Sequence, residues 1–303
     1  MKRIEGFISA PFTPMLADGS VNYERIAQYA SFYVRNGIDG AFICGTSGEG
    51  YSLSLEERKR VAELWVENTP ENFKSIVHVG GATLLGSKEL VRHAAAIGAW
   101  GIGAMAPVFF KPQTVEDLVM YCAELASEAP DMPFYFYHMP SFTGVYLPML
   151  DFLEKAKDRI PNLTGIKYTH EDLFEFSNCL RFDNGRYEIL HGRDETLLAG
   201  LALGATGGIG GSYNHIMKVY LDLIKAYHAK DMEKARSLQW KAQEFISILN
   251  KYGGNVISGK GVMKFLGVDC GPNRLPLRTL PEEEEKAMLK DLENIDFFEF
   301  CNK

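Results

Sequence analysis

The sequence predicts an α/β protein, a (β/α)8 (TIM) barrel with appended C-terminal helices. Short apolar segments of strand length alternate with helix-like segments eight times between residues 6 and 228. Each right-handed crossover in such a series places the next strand parallel to the last. The chain has 303 residues, 46% of them hydrophobic, which is enough for one large core. A doubly wound open sheet is the alternative, and strand counting alone does not exclude it.

The strands and helices are predicted from local patterns. Segments in which apolar residues have helical spacing lie between the predicted strands. Ser54 and Glu57 form an S-x-x-E capping box, which predicts the start of the second helix. A later helix begins at Thr114, and the first one ends at Gly37. The predicted strands lie within residues 6–14, 39–45, 75–81, 101–107, 133–140, 163–169, 187–192 and 205–211.

The pattern changes at about Ala229, where the strand-like segments stop. Residues 230–254 and 281–298 have the spacing of helices. The sequence therefore predicts a barrel over residues 1–228, which carries the active site, and a helical extension over residues 229–303.

Composition and charge limit the classes of partner and the cellular location that are compatible with the sequence. The net charge is −7 and no block of lysine and arginine is present, which argues against a nucleic-acid partner or an anionic membrane surface. The N-terminus lacks the apolar stretch of a signal peptide, and the apolar run 197–211 is too short and glycine-rich to span a bilayer. Five scattered cysteines, without a C-x-x-C pair, favour reduced thiols in a cytoplasm: Cys44, Cys122, Cys179, Cys270 and Cys301.

Polar and small residues cluster where the predicted strands end. The carboxyl ends of barrel strands meet on one face, and active sites of this fold are built there. The sequence therefore predicts that these residues share one site: Thr46, Ser47, Tyr137, Lys167, Asp194, Glu195, Gly210 and Ser212.

Lys167, at the end of the sixth predicted strand, has two interpretations. A lysine at a strand end can extend its charge into water along an apolar surface. Alternatively, an apolar surround lowers the pKa of the amine and frees it to attack a carbonyl group. Leu163, Ile166 and the aromatic strand 134–137 are candidates for that surround. Local sequence leaves both interpretations open.

Two further features have a structural and a functional interpretation. The segment GTSGEG (45–50) lacks the G-K-[ST] of a nucleotide-binding loop, but its small residues suit a compact anion such as a carboxylate. It can equally be an ordinary polar loop.

Strand alternation sends Tyr135 and Tyr137 to one side and Phe134 and Phe136 to the other. Tyr137 is then either a core residue or a proton-transfer group. Seven histidines without ligand spacing predict no metal site.

Several motifs together resemble the pyruvate-dependent class I aldolases related to dihydrodipicolinate synthase and N-acetylneuraminate lyase. They are GTSGEGYSLSLEER, FYFYHMPSFTGV, GIKYTHEDL, HGRDE, GATGGIGGSYN and GPNRLPL, in chain order. The resemblance implies that Lys167 is the Schiff-base lysine and Tyr137 the proton-transfer tyrosine. It implies that Thr46, which is also a catalytic candidate, and Ser47 hold the keto-acid carboxylate. It further implies a homotetramer and no external cofactor, since the lysine imine is the electron sink.

Departures within the family favour the lyase branch. Phe142 stands where the synthases carry an arginine for a second carboxylate, and PVFFKP (107–112) lacks their tyrosine from a neighbouring subunit. Asp194 and Glu195, after Gly192, resemble the pair that holds the hydroxylated tail of sialic acid, with Thr169 beside the lysine. The resemblance thus implies cleavage of N-acetylneuraminate to N-acetylmannosamine and pyruvate. A phosphorylated sugar acid is disfavoured, because the two carboxylates would repel it.

One position departs from both branches. The family usually has G-S-T-Y-N after the eighth strand, whereas this chain has glycine at position 211, and Ser212 is a candidate substitute for the missing hydroxyl. The alternatives to the lyase are a related lyase or dehydratase for another 2-keto-3-deoxy sugar acid, a non-catalytic keto-acid sensor, and an assembly protein that keeps only the barrel.

Overall fold

A closed parallel barrel forms the body of the protein. The computed structural model describes Ile4 and residues 6–303, and within them eight strands pair in chain order, β8 returning to β1. Closure excludes the open sheet and confirms the predicted (β/α)8 fold. Residues 1–3 and 5, which belong to the N-terminal segment without a signal-peptide pattern, lie outside the described residues. The strands are β1 (Gly6–Ser9), β2 (Gly40–Ile43), β3 (Lys74–His78), β4 (Gly101–Met105), β5 (Phe134–His138), β6 (Leu163–Tyr168), β7 (Glu188–His191) and β8 (Gly207–Gly210).

Helices surround the barrel and continue beyond it. The predicted capping box is present, because Ser54 Oγ accepts from the Glu57 amide and the Glu57 side chain accepts from the Ser54 amide. The helices are α1 (Glu24–Arg35), α2 (Leu55–Glu67), α3 (Leu84–Ala96), α4 (Val115–Ala126), α5 (Pro140–Thr143), α6 (Met149–Ala156), α7 (Leu173–Arg181), α8 (Leu197–Leu203), α9 (Tyr213–His228), α10 (Met232–Lys251), α11 (Lys260–Phe265), α12 (Glu282–Glu293) and α13 (Phe297–Phe300). Among the described residues, none of the helices has both the length and the apolar character needed to cross a bilayer.

Strand alternation divides the core into two layers. Tyr135 and Tyr137 belong to the layer inside the barrel, whereas Phe134 lies in the layer between strands and helices, as predicted. The expected surround of Lys167 was wrong in part, because Leu163 and Ile166 also pack in the outer layer. Ile166 is adjacent to Lys167 in the strand and therefore faces the other way. Leu163 pairs with the outward-facing Phe134, and the β5–β6 register shifts after this pair, so Leu163 does not share the inward face with Lys167.

The C-terminal helices hold two of the loops at the open end of the barrel. Gln239 Nε2 of α10 donates to the Asp194 carbonyl at 3.1 Å, which ties α10 to the loop after β7. Lys260 of α11 forms a fully buried ion pair with Glu49 at 2.7 Å, next to the segment 45–48. The Arg274 amide donates to the same carboxylate at 2.8 Å. These C-terminal residues therefore support the loops that carry the predicted site.

Candidate active site

A cavity of about 380 Å³ opens at the carboxyl ends of the strands. The loops after β2, β5, β6, β7 and β8 line it, together with residues 246–256 of the extension. Gly210 lies behind the wall and is not part of the lining. The cavity brings together the other residues predicted for the site: Thr46, Ser47, Tyr137, Lys167, Thr169, Gly192, Asp194, Glu195 and Ser212.

Lys167 lies inside the barrel and does not extend into solvent. β6 pairs with β5 so that Lys167 stands beside Tyr137, and the lysine side chain is 4% exposed. Its Nζ lies 3.9 Å from the centroid of the Tyr137 ring and 4.2 Å from that of Phe42 on β2. Burial lowers the pKa of Lys167 to about 7, against the opposing effect of the Asp194 carboxylate. A large fraction of this amine is therefore neutral near neutral pH.

Tyr137 lines the cavity, and its hydroxyl lies beside Thr46. The two oxygens are 3.4 Å apart, and the phenol donates to Met139 Sδ at 2.9 Å. Burial raises the pKa of Tyr137 to about 12, although the Thr46 hydroxyl lowers it. The phenol is consequently protonated in the free protein at neutral pH.

The loop after β2 turns sharply around the predicted anion site. Cys44 and Glu49 have positive φ angles of 56° and 52°, and a Cβ on Gly50 would overlap the Cys44 carbonyl. Thr13 Oγ1 donates to the Gly48 carbonyl at 2.6 Å and fixes the middle of the loop. These constraints hold Thr46 and Ser47 at the cavity wall, in a segment whose small residues suit a compact anion.

The loop after β7 leaves room for the Thr169 hydroxyl. A Cβ on Gly192 would overlap Thr169 Oγ1, so this position requires glycine. Within the described residues, Thr169 Oγ1 is buried without a hydrogen-bond partner. It lies near enough to the phenol to lower the pKa of Tyr137, but without the geometry of a hydrogen bond. Its hydrogen-bonding capacity is therefore open to a ligand.

Asp194 is a buried carboxylate with one oxygen engaged. Ser212 donates to Asp194 Oδ2 through its amide at 2.7 Å and its hydroxyl at 2.6 Å. A Cβ on Gly210 would lie 2.5 Å from Asp194 Cγ, so glycine is needed there for the close approach. Burial raises the pKa of Asp194 to about 6, although Ser212 and Lys167 lower it. Among the described residues, Oδ1 has no hydrogen-bond partner and remains an acceptor.

The negative charge of Glu195 is paired with Arg193, a residue that was not predicted from the sequence to belong to the site. Arg193 Nη2 lies 2.8 Å from the Glu195 carboxylate, and Nη1 lies 2.8 Å from Glu171. Arg193 also lines the cavity. Arg193 thus offsets part of the negative charge expected to repel a phosphorylated sugar acid, but it is shared with Glu171, and Asp194 forms no ion pair among the described residues.

Comparison with known proteins places this geometry in a family. The model of the dihydrodipicolinate synthetase family matches residues 3–295. The chain belongs to this family. N-acetylneuraminate lyase of Rattus norvegicus is 39% identical over 303 residues, which cover 99% of this chain and 95% of that protein.

Solved structures of relatives agree over the whole fold. The N-acetylneuraminate lyase of Proteus mirabilis superposes with a TM-score of 0.95 at 39% identity, covering 98% of this chain and 100% of that one. The sialic acid aldolase of Aliivibrio salmonicida gives a TM-score of 0.95 at 37% identity, covering 98% of each chain. The resemblance inferred from the motifs is thereby confirmed.

Part of the cavity wall in this family member was missed by sequence reasoning. Met139 lies within the predicted strand region 133–140, directly after the end of β5, but a thioether gives no signal of function. Asn250 and Asn255 come from the extension, where no strand end marks a site. Phe142 lines the cavity and is 63% exposed. In the part of the chain that the structure describes, no group of three His, Cys, Asp or Glu side chains is arranged to hold a metal ion.

Proposed function

We propose that the protein is an N-acetylneuraminate lyase, a class I aldolase that releases N-acetylmannosamine and pyruvate. The observation that carries the proposal is the buried Lys167 amine, whose pKa is lowered to about 7, beside the Tyr137 hydroxyl. The similarity to N-acetylneuraminate lyases over nearly the whole chain supports the choice of substrate.

The keto-acid end of the open-chain sugar binds at the loop after β2. Thr46 and Ser47 donate hydrogen bonds to its carboxylate, which sets the C2 ketone against Lys167. The neutral amine attacks C2, and loss of one water leaves the imine. The imine withdraws electrons from the C3–C4 bond, and no external cofactor takes part in the proposed reaction.

Cleavage then requires removal of the C4 hydroxyl proton. Since burial raises the pKa of Tyr137 to about 12, the phenol starts protonated. As the phenol takes up the proton from O4, it gives its own proton to the substrate carboxylate, with Thr46 beside it. The C3–C4 electron pair moves to form the enamine, and O4 becomes the aldehyde oxygen of N-acetylmannosamine. The proton held by the carboxylate moves to C3, and addition of one water to the resulting imine returns pyruvate and the free lysine.

The sugar tail is held on the opposite wall. Asp194 Oδ1, the Glu195 carboxylate and Thr169 Oγ1 accept or share hydrogen bonds with its hydroxyls, and Ser212 fixes Asp194. Gly192 and Gly210 allow the close approach that these contacts need.

Asp194→Ala tests the tail assignment. We expect KM for N-acetylneuraminate to rise about 10- to 100-fold, which corresponds to losing hydrogen bonds to a charged group. Pyruvate trapping at Lys167 should persist, because Asp194 contacts a part of the sugar that pyruvate lacks. Glu171→Ala is the matched control, since Glu171 is exposed and also binds Arg193. Equal loss of trapping in Asp194→Ala would show that this carboxylate shapes the lysine site instead.

The pH dependence of imine formation tests the state of Lys167. The pKa is lowered, so the amine is protonated and unreactive below about pH 7 and neutral above it. We expect the rate of pyruvate trapping by cyanoborohydride to fall about tenfold from pH 8 to pH 6. Asp194→Asn should move the inflection to lower pH, because the Asp194 carboxylate raises the pKa of Lys167. A flat profile across this range would contradict the proposed amine.

A substrate panel separates the proposal from its rivals. Pyruvate release, measured by a coupled assay, should be fastest with N-acetylneuraminate. A faster reaction with another 2-keto-3-deoxy sugar acid would favour the related lyase or dehydratase. A covalent adduct trapped by borohydride with pyruvate would argue against the keto-acid sensor and the assembly protein, because neither requires such an adduct.

The proposal extends to organisation. We infer a barrel unit over residues 1–228 and an extension over residues 229–303, which is supported by the end of the strand series at β8. We also propose that the protein is a homotetramer, as the family resemblance implies. We propose that it is located in the cytoplasm, which the scattered cysteines favour. Size-exclusion chromatography with light scattering tests the assembly.

A further inference from the structure

Asn255 enters the cavity from the extension at a sharp change of chain direction. Gly253 and Gly254, with φ angles of 105° and 84°, precede the π-helical turn Asn255–Gly259. Both φ values lie where residues other than glycine are disfavoured. π-turns of this kind are frequent at functional sites. Here the turn delivers the carboxamide between Ser47 and Gly211, all three lining the cavity.

The carboxamide fills the space of the absent side chain at position 211. A Cβ on Gly211 would overlap Asn255 Nδ2 and lie 2.9 Å from its Cγ. The serine usual in the family at this position and the observed Asn255 conformation therefore exclude each other. Glycine at 211 and asparagine at 255 form one arrangement.

Ser212 is not free to replace the missing serine. Its hydroxyl donates to Asp194 Oδ2 at 2.6 Å and lies 2.7 Å from the Tyr220 hydroxyl. Both partners are buried, so these bonds hold Ser212 in the wall behind Asp194. The substitution considered from the sequence is therefore not available without breaking the Asp194 site.

Asn255 is bonded to the proposed carboxylate-binding loop. Asn255 Nδ2 donates to Ser47 Oγ at 3.1 Å. Because the serine oxygen accepts this bond, its own proton is left to point at another acceptor. Asn255 Oδ1 is on the other side of the amide, buried near Gly259. The orientation of the amide thus sets the direction of the Ser47 hydroxyl.

We propose that Asn255 is a positioning residue for the keto acid. It takes the volume of the missing side chain at 211 and directs the Ser47 hydroxyl to donate to the substrate carboxylate. The inference rests on the proposed function, in which Ser47 binds that carboxylate. It assigns to the extension a part in keto-acid affinity that the barrel motifs do not contain.

A mutant cycle between Asn255 and Ser47 tests the positioning role. The measured quantity is the pyruvate concentration that half-saturates borohydride trapping at Lys167. We expect Asn255→Ala to raise it about three- to tenfold, the effect of one neutral hydrogen bond, with the saturated trapping rate unchanged. Ser47→Ala should raise it similarly, and the double variant should be no worse than Ser47→Ala. Additive effects, or a wild-type value in a normally melting Asn255→Ala, would overturn the proposal.

Substitution of Gly211 tests whether the Asn255 carboxamide occupies the space of a side chain at position 211. Gly211→Ser in the wild-type background should displace the carboxamide and raise the half-saturating pyruvate concentration as Asn255→Ala does. In an Asn255→Gly background, the same substitution has space, so adding Gly211→Ser should change the value by less than about twofold relative to Asn255→Gly alone. A Gly211→Ser variant that equals wild type would show that the amide does not compete for this space.

The readout keeps this inference apart from the choice of sugar. A wild type that traps pyruvate but does not cleave N-acetylneuraminate would contradict the proposed substrate and leave the Asn255 comparison intact. A wild type without any adduct would contradict the proposed chemistry, and calorimetric binding of pyruvate would then carry the same comparison of variants.

Discussion

Lys167→Ala is expected to abolish turnover and pyruvate trapping together, by roughly 10⁴-fold or more. The imine nitrogen must come from an amine that is both neutral and inside the cavity. Arg193, which also lines the cavity, is paired with two carboxylates and carries a guanidinium group instead of an amine. Lys260 is engaged by Glu49 and by the Pro272 carbonyl. Neither can replace the lost nucleophile.

The measurement is mass spectrometry of the peptide digest after borohydride reduction with pyruvate. One adduct should appear on the peptide that contains Lys167 and disappear in Lys167→Ala. Lys167→Met keeps the alkyl chain between Phe42 and Tyr137 and should be equally inactive, which separates the amine from its packing. Lys218→Ala, on the exposed side of α9, is the surface control. An adduct on any other lysine of the wild type would contradict the assignment.

The sequence predicted the strand–helix series well for a physical reason. Parallel strands that are covered on both faces consist of continuous apolar residues, and such runs can be recognised in the sequence between helical segments. Closure was not predictable from the same runs, because an open sheet uses equally apolar strands. The pairing of β8 with β1, such as Ile8 with Ile209, is a long-range property that local patterns do not contain.

The site was predictable as far as it depends on strand ends. Lys167 and Tyr137 are neighbours because they are paired residues of β5 and β6. Their places in the site were predictable because both residues lie near the carboxyl ends of predicted strands. The desolvation of Lys167 depends on Phe42, which belongs to a distant strand, so local sequence could not choose between its two interpretations. Asn255 lay beyond prediction, since its place in the cavity depends on how the extension folds back over the barrel.

Tyr137→Phe is expected to separate imine formation from carbon–carbon cleavage. Trapping of pyruvate needs the neutral amine and the bound carboxylate, and neither depends on the phenol oxygen. Cleavage needs the C4 hydroxyl proton removed as the bond breaks, and the proton path runs through Tyr137. General acid–base catalysis contributes about 10²- to 10⁴-fold, so kcat for N-acetylneuraminate should fall by that factor while KM changes little.

Tyr135→Phe provides the matched control for this variant. Tyr135 also faces the barrel interior, but its hydroxyl donates to the buried Glu188 at 2.6 Å instead of facing the cavity. Removing that hydroxyl weakens a buried polar contact, so Tm should fall while kcat stays within a few-fold of wild type. Tyr137→Phe should show the opposite pattern, because the hydrogen bonds of the hydroxyl it loses are weak ones within the described residues, to Met139 Sδ and to the Thr46 oxygen at 3.4 Å. A Tyr137→Phe variant with a wild-type melt and near-normal kcat would move the proton path to Thr46, Thr169 or the substrate carboxylate alone. The protonated state of the phenol in the free protein makes that carboxylate the first of these to examine.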